Sequence, residues 1–101
     1  MAAELILEFE GVTTKEYYAV NEALGVDPDT GEGNWPDGLI THAASPLDDG
    51  NLVVTEVSDT PEDQATFMVQ RLGGAVVRGG ITSPPTAVIG TGLVAHHQLR
   101  G

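Results

Sequence analysis

The chain has 101 residues, no cysteine, and fifteen acidic against four basic side chains, for a formal net charge of −11. That length predicts one domain, residues 1–101, with a single small core, and a hydrophobic content of 41% excludes a disordered chain. The lack of cysteine excludes a disulfide framework and a thiolate metal site, and so few Lys and Arg make nucleic acid and an anionic membrane poor partners.

The acidity reads as solubility. The opening "MAAELILEFEG" has no basic region, and its apolar run is too short for a signal peptide. No stretch approaches the ~20 apolar residues of a membrane span. A cytoplasmic protein is expected.

"ELILEFEG" alternates, with Leu5, Leu7 and Phe9 on one face and Glu4, Ile6, Glu8 and Glu10 on the other. It predicts a first, half-buried strand that ends at Gly11. "TTKEYYAVNEALG" predicts a helix with Thr13 and Glu16 as a capping box, Tyr17, Val20 and Leu24 as its inward stripe, and Gly25 as its stop. "VDPDTGEGNWPDG" reads as a turn-rich loop in which Trp35, the sole tryptophan, folds onto the body as a lid or plug. Its aspartates lack the ligand spacing of an EF-hand, so no metal is expected.

"LITHAAS" and "NLVVTEVS" predict the second and third strands, and "PLDDG" between them carries hairpin chemistry. "TPEDQATFMVQRL" predicts a second helix, capped by Thr60, with Pro61 at its first position. Its inward stripe is expected to be Ala65, Met68 and Leu72, flanked by Phe67. Gly73-Gly74 weakens it, and "AVVRGG" adds a last short turn. "SPP" forces an extended break, and "TAVIGTGLVAHH" predicts the fourth strand.

The order β-α-β-β-α-β is the ferredoxin-like split pattern, an α+β fold with a four-stranded antiparallel sheet and two helices on one face. The other face carries Leu39, Thr41, Val53, Thr55 and Val57 if the strand phases hold. A partly apolar bare face needs a cover, and a second copy of the chain is the simplest one, so a homodimer through this face is expected.

The stretches "EGVTTKEYYAVNEALG", "GLITHAA", "DDGNLVVTEVSDTPEDQATFMVQRLG" and "LVAHH" together resemble the dimeric α/β-barrel superfamily, near the antibiotic-biosynthesis-monooxygenase-like proteins. The junction "TEVSDTPEDQATFM" is the most specific part. The resemblance implies a pocket inside each subunit, between the sheet and its helices. Characterised relatives divide into cofactor-free oxygenases of aromatic anthrones, haem-degrading proteins, and isomerases or cyclases, so the fold does not choose the chemistry. Where such proteins usually carry tryptophan, this chain has Ser58, and Gly90 stands where a bulky residue is usual. The two departures imply an enlarged cavity, either adapted to a large ligand or re-engineered.

Candidate chemistry centres on His42 and Glu56. A three-residue hairpin loop places them opposite one another on the helix-facing side; a one-residue change in loop length would flip that. A carboxylate beside an imidazole fixes its tautomer and makes it a general base, able to deprotonate a phenol or a carbon next to a carbonyl. The alternative is a buried structural pair. Tyr17 can offer its hydroxyl to the pocket, and Arg71 can hold a carboxylate or enolate oxygen or make a surface ion pair. Phe67, Met68 and Trp35 complete the expected lining with Ser58 and Gly90.

Met68 falls near the place of the proximal histidine in haem-degrading relatives, but core packing suits it better. His96 and His97 alternate faces and cannot share a metal. The reading is a small-molecule pocket enzyme, cofactor-independent, performing oxygenase- or cyclase-type chemistry on an aromatic or polyketide-like substrate through deprotonation. The alternative is a non-catalytic module for a hydrophobic ligand or haem.

Overall fold

The computed structural model describes residues 2–97; Arg100 lies outside them. The chain runs β1 (Ala3–Phe9), α1 (Thr14–Leu24), β2 (Leu39–Pro46), β3 (Leu52–Ser58), α2 (Pro61–Phe67), α3 (Gly73–Arg78) and β4 (Thr86–Gly90). The strands form one antiparallel sheet in the order β2-β3-β1-β4. This is the expected ferredoxin-like arrangement, with α1 and the broken helix α2–α3 covering one face.

Alternation builds the core. Leu5, Leu7 and Phe9 of β1 and Leu52 and Val54 of β3 point to the helices and are buried. They meet Val20 of α1 and Ala75 of α3. Helix α1 starts at the expected capping box, Thr13 with Glu16, and stops at Gly25 in the left-handed conformation. The Thr13–Glu16 contact also holds the exposed Glu16 carboxyl below its usual range. Gly79 allows close approach: a Cβ there would stand 2.5 Å from Val20 Cγ2.

Three elements depart from the sequence reading. The second helix does not weaken at Gly73-Gly74. A single π-helical turn, Met68–Leu72, joins α2 to α3, and the Gly73 N–H reaches Met68 O, five residues back. Ahead of that turn Gln64 and Phe67 are buried and Ala65 is exposed, while Met68 and Leu72 pack against the core as expected. Strand β4 stops at Gly90, opposite Glu4, because β1 has only Ala3 left to pair beyond it. Residues 91–97 continue without a ladder, tied by one bond from Leu93 N–H to Ala2 O. Finally, an irregularity between Leu39 and Thr41 turns Leu39 to the helix side, opposite Ser58, while Thr41 stays on the outer face opposite Val57.

Candidate functional site

The site begins with a turn. Leu47 N–H bonds Asn51 O at 2.7 Å, which leaves Asp48-Asp49-Gly50 as a three-residue loop. Gly50 takes φ +88°, the left-handed position this loop needs. The resulting register sets His42 opposite Glu56. His42 Nδ1 lies 3.1 Å from Glu56 Oε1, and His42 Nε2 lies 2.7 Å from the hydroxyl of Tyr17 on α1. The imidazole is 17% exposed and the carboxylate 7%.

An ionised carboxylate only accepts, so with a neutral ring Nδ1 carries the proton and Nε2 accepts from the Tyr17 hydroxyl. The three groups therefore form one directed chain, Tyr17 to His42 to Glu56. Burial pushes the Tyr17 phenol above its ordinary range, and the nearby Glu56 charge acts in the same sense. Trp35 leans on the imidazole, with ring centroids 5.2 Å apart.

Two spaces meet at this chain. Inside, between sheet and helices, a narrow apolar cavity of about 40 Å³ is lined by Tyr17, His42 and Glu56 together with Trp35, Phe67 and Val54. That is room for roughly three waters. Outside, along the free edge of β2, a cleft of about 370 Å³ is lined by Tyr17, His42, Trp35, Ile40, Thr41 and Pro28. Trp35, Tyr17 and His42 form the wall between the two.

The loop that carries Trp35 is fastened from several sides. The indole N–H donates to Gly31 O at 2.8 Å. Arg71, on the π-helical turn, donates through Nη2 to Leu24 O at 2.9 Å and to Asn34 O. Its guanidinium also lies 5.6 Å from the centroid of Phe67.

No protein-family model and no curated protein matches the sequence. Solved structures do match in shape. A Nitrosomonas europaea protein of unknown function, NE2512, superposes with a TM-score of 0.68 at 15% identity, over 99% of this chain and 96% of that one. A candidate antibiotic biosynthesis monooxygenase from Chloroflexus aurantiacus gives a TM-score of 0.61 at 14% identity, over 96% and 98%. A monooxygenase from the gene ActVA-Orf6 of Streptomyces coelicolor, in complex with nanaomycin D, gives 0.53 at 16%, over 96% and 90%. The chain shares the ferredoxin-like fold of these structures.

Set in that fold, the residues singled out in the sequence separate into three groups. His42, Glu56 and Tyr17 come together, and Trp35, Phe67 and Arg71 line the same inner cavity. Ser58 is buried on the helix-facing side between Ala3 and Leu39, but the cavity stops short of it. Met68 packs against the core and borders a separate recess near Pro84. Gly90 pairs with Glu4 on the outer face of the sheet, and an added Cβ there would meet nothing within 4 Å. Neither Ser58 nor Gly90 enlarges the cavity, because one lies beyond its end and the other on the wrong face.

Among the described residues Arg71 makes no ion pair; its Nη2 donates to two backbone carbonyls instead. Sequence reasoning missed Asn21, which lines the cavity and donates to Tyr17 O at 2.7 Å, back-bonding one turn along α1. Its spacing from Tyr17 was the available signal. Among the described residues no three or more His, Asp or Glu side chains converge as a metal would need, and no helix is long and apolar enough to cross a membrane.

Proposed function

We propose that this protein is a small-molecule enzyme that removes a proton from an aromatic or polyketide-like substrate, using its own side chains and no cofactor. The observation that carries the reading is the directed chain Tyr17–His42–Glu56. Nε2 of His42 is already taken by the Tyr17 hydroxyl, so the substrate's proton passes to the Tyr17 oxygen as the Tyr17 proton passes to Nε2. The products of that step are a substrate anion and an imidazolium, and the buried Glu56 carboxylate balances the new positive charge. The anion then either reduces O2 directly, as in an oxygenase, or is reprotonated elsewhere, as in a cyclase or isomerase. The ligand of the Streptomyces coelicolor structure, nanaomycin D, supports the substrate class.

The working unit in this reading is a homodimer. Strand β4 is exposed on both faces, with Val88 60% and Ile89 53% accessible, and the outer sheet face around it lacks a cover. A second copy packed on that face would remove Val88, opposite Ile6, from water.

The test is turnover of a panel of anthrones, phenols and ketones. General acid–base groups contribute about 10²–10⁴-fold, so His42→Ala and Tyr17→Phe should each lower turnover within that range while the fold survives. Unchanged turnover in His42→Ala sinks the role. Ligand binding without turnover by the unmodified protein would instead favour the non-catalytic module.

A further inference from the structure

We infer that the substrate sits in the outer cleft along the edge of β2, against the faces of Trp35 and Ile40, and not in the cavity between sheet and helices. The inference rests on the proton-transfer reading and locates its substrate. Size is the first argument. The inner cavity, about 40 Å³, holds a few waters, whereas the open cleft offers about 370 Å³ beside the same Tyr17 and His42.

Access is the second. Tyr17 and His42 border the cleft as well as the cavity, so the chain that takes the proton can be reached without opening the core. Two local features create the cleft. The irregularity at Leu39/Thr41 displaces the strand edge, and the loop bonds hold Trp35 upright beside it.

The chemistry of the walls defines the ligand. The Trp35 indole N–H is spent on Gly31 O, so the ring offers a π-face and no donor. Ile40 is 45% exposed and adds apolar surface beside it. Thr41 supplies a hydroxyl. No Lys or Arg lines the cleft, and Asp29 stands nearby, bonded to the Tyr18 hydroxyl at 2.6 Å. A carboxylate or phosphate would find no partner there. A flat, neutral, hydroxylated aromatic would stack on Trp35 and present its O–H to the Tyr17 oxygen.

The experiment is an NMR titration of the full chain with naphthol, a neutral bicyclic phenol at neutral pH. The chain has one tryptophan, so a single indole N–H resonance reports on the wall shared with the cavity, and the amides of Ile40 and Thr41 report on the cleft alone. That resonance and the amides of Gly31, Ile40 and Thr41 should move with a common affinity. Ile40→Glu, an exposed edge substitution, should weaken binding by about tenfold or more, and naphthalenesulfonate should bind as weakly as naphthol does to that variant. Val54→Ile, which adds one methylene to the inner cavity, should leave affinity within about twofold.

Shifts concentrated on Leu7, Val54 and Val76, with affinity lost in Val54→Ile and kept in Ile40→Glu, would overturn the cleft. No saturable shift would overturn it as well. The proton-transfer reading fails separately: cleft binding with turnover unaffected by His42→Ala would leave the site standing and remove its chemistry.

Discussion

Replacing Arg71 with methionine isolates what holds Trp35 in place. Methionine keeps an unbranched stem over Phe67 but removes Nη2 and both of its hydrogen bonds, so Leu24 O and Asn34 O lose their partner. Hydrogen bonds from charged donors contribute roughly 1.5–3 kcal/mol each. Asn34 is exposed, so water will replace part of that loss. We therefore expect a destabilisation of about 2 kcal/mol, well below twice the single-bond figure. For a domain of this size that is a fall in Tm of about 8–16 °C. Urea unfolding followed by Trp35 fluorescence measures the loss, and the native emission should also shift to the red as the loop loosens. A loss below about 0.5 kcal/mol, the ordinary range for a surface substitution, would refute the clasp.

Polar side chains give two further expected outcomes. Burial raises the Tyr17 phenol, and the bond to Asp29 raises the exposed Tyr18 phenol, so ultraviolet titration of the two tyrosines should place both above the ordinary value of 10.0. The sign for stability is that of a raised group. The Tyr17 contribution is complete below pH 10 and is lost as pH rises toward its folded value, and Tyr17→Phe should flatten that alkaline decline. Gln64 is 4% exposed and its Nε2 has no partner, so Gln64→Met should be neutral or stabilising by about 1 kcal/mol in the same urea assay.

How legible the site was depended on whether the signal was local. The hairpin itself was legible in "PLDDG", but its length was only a condition: the three-residue loop Asp48-Asp49-Gly50 is what sets His42 beside Glu56, and one residue more or less would have turned His42 away. Thr13, Glu16 and Gly25 marked α1 because caps act within a few residues. The second helix failed where a period was assumed. A π-helical turn at Met68–Leu72 leaves no mark in a 3.6-residue pattern; ahead of it Gln64 and not Ala65 is buried, while Phe67, Met68 and Leu72 keep their expected places.

Gly90 failed on the face of its strand. Which way an edge strand points is set by pairing with β1, and the glycines at 90 and 92 left no alternation from which to read it. Arg71 lines the cavity as expected, but the surface ion pair that its charge also suggested gave way to two loop carbonyls, which no sequence spacing records.

The central claim is proton removal by the Tyr17–His42–Glu56 chain, and deuterium exchange tests it whatever the later fate of the anion. The acidic methylene of an anthrone, incubated with the protein in D2O without oxygen, should lose its proton NMR signal faster than in buffer. His42→Ala should return the rate to that of buffer while naphthol binding persists. Exchange at the buffer rate with the unmodified protein, under conditions where the anthrone is bound, would contradict the account.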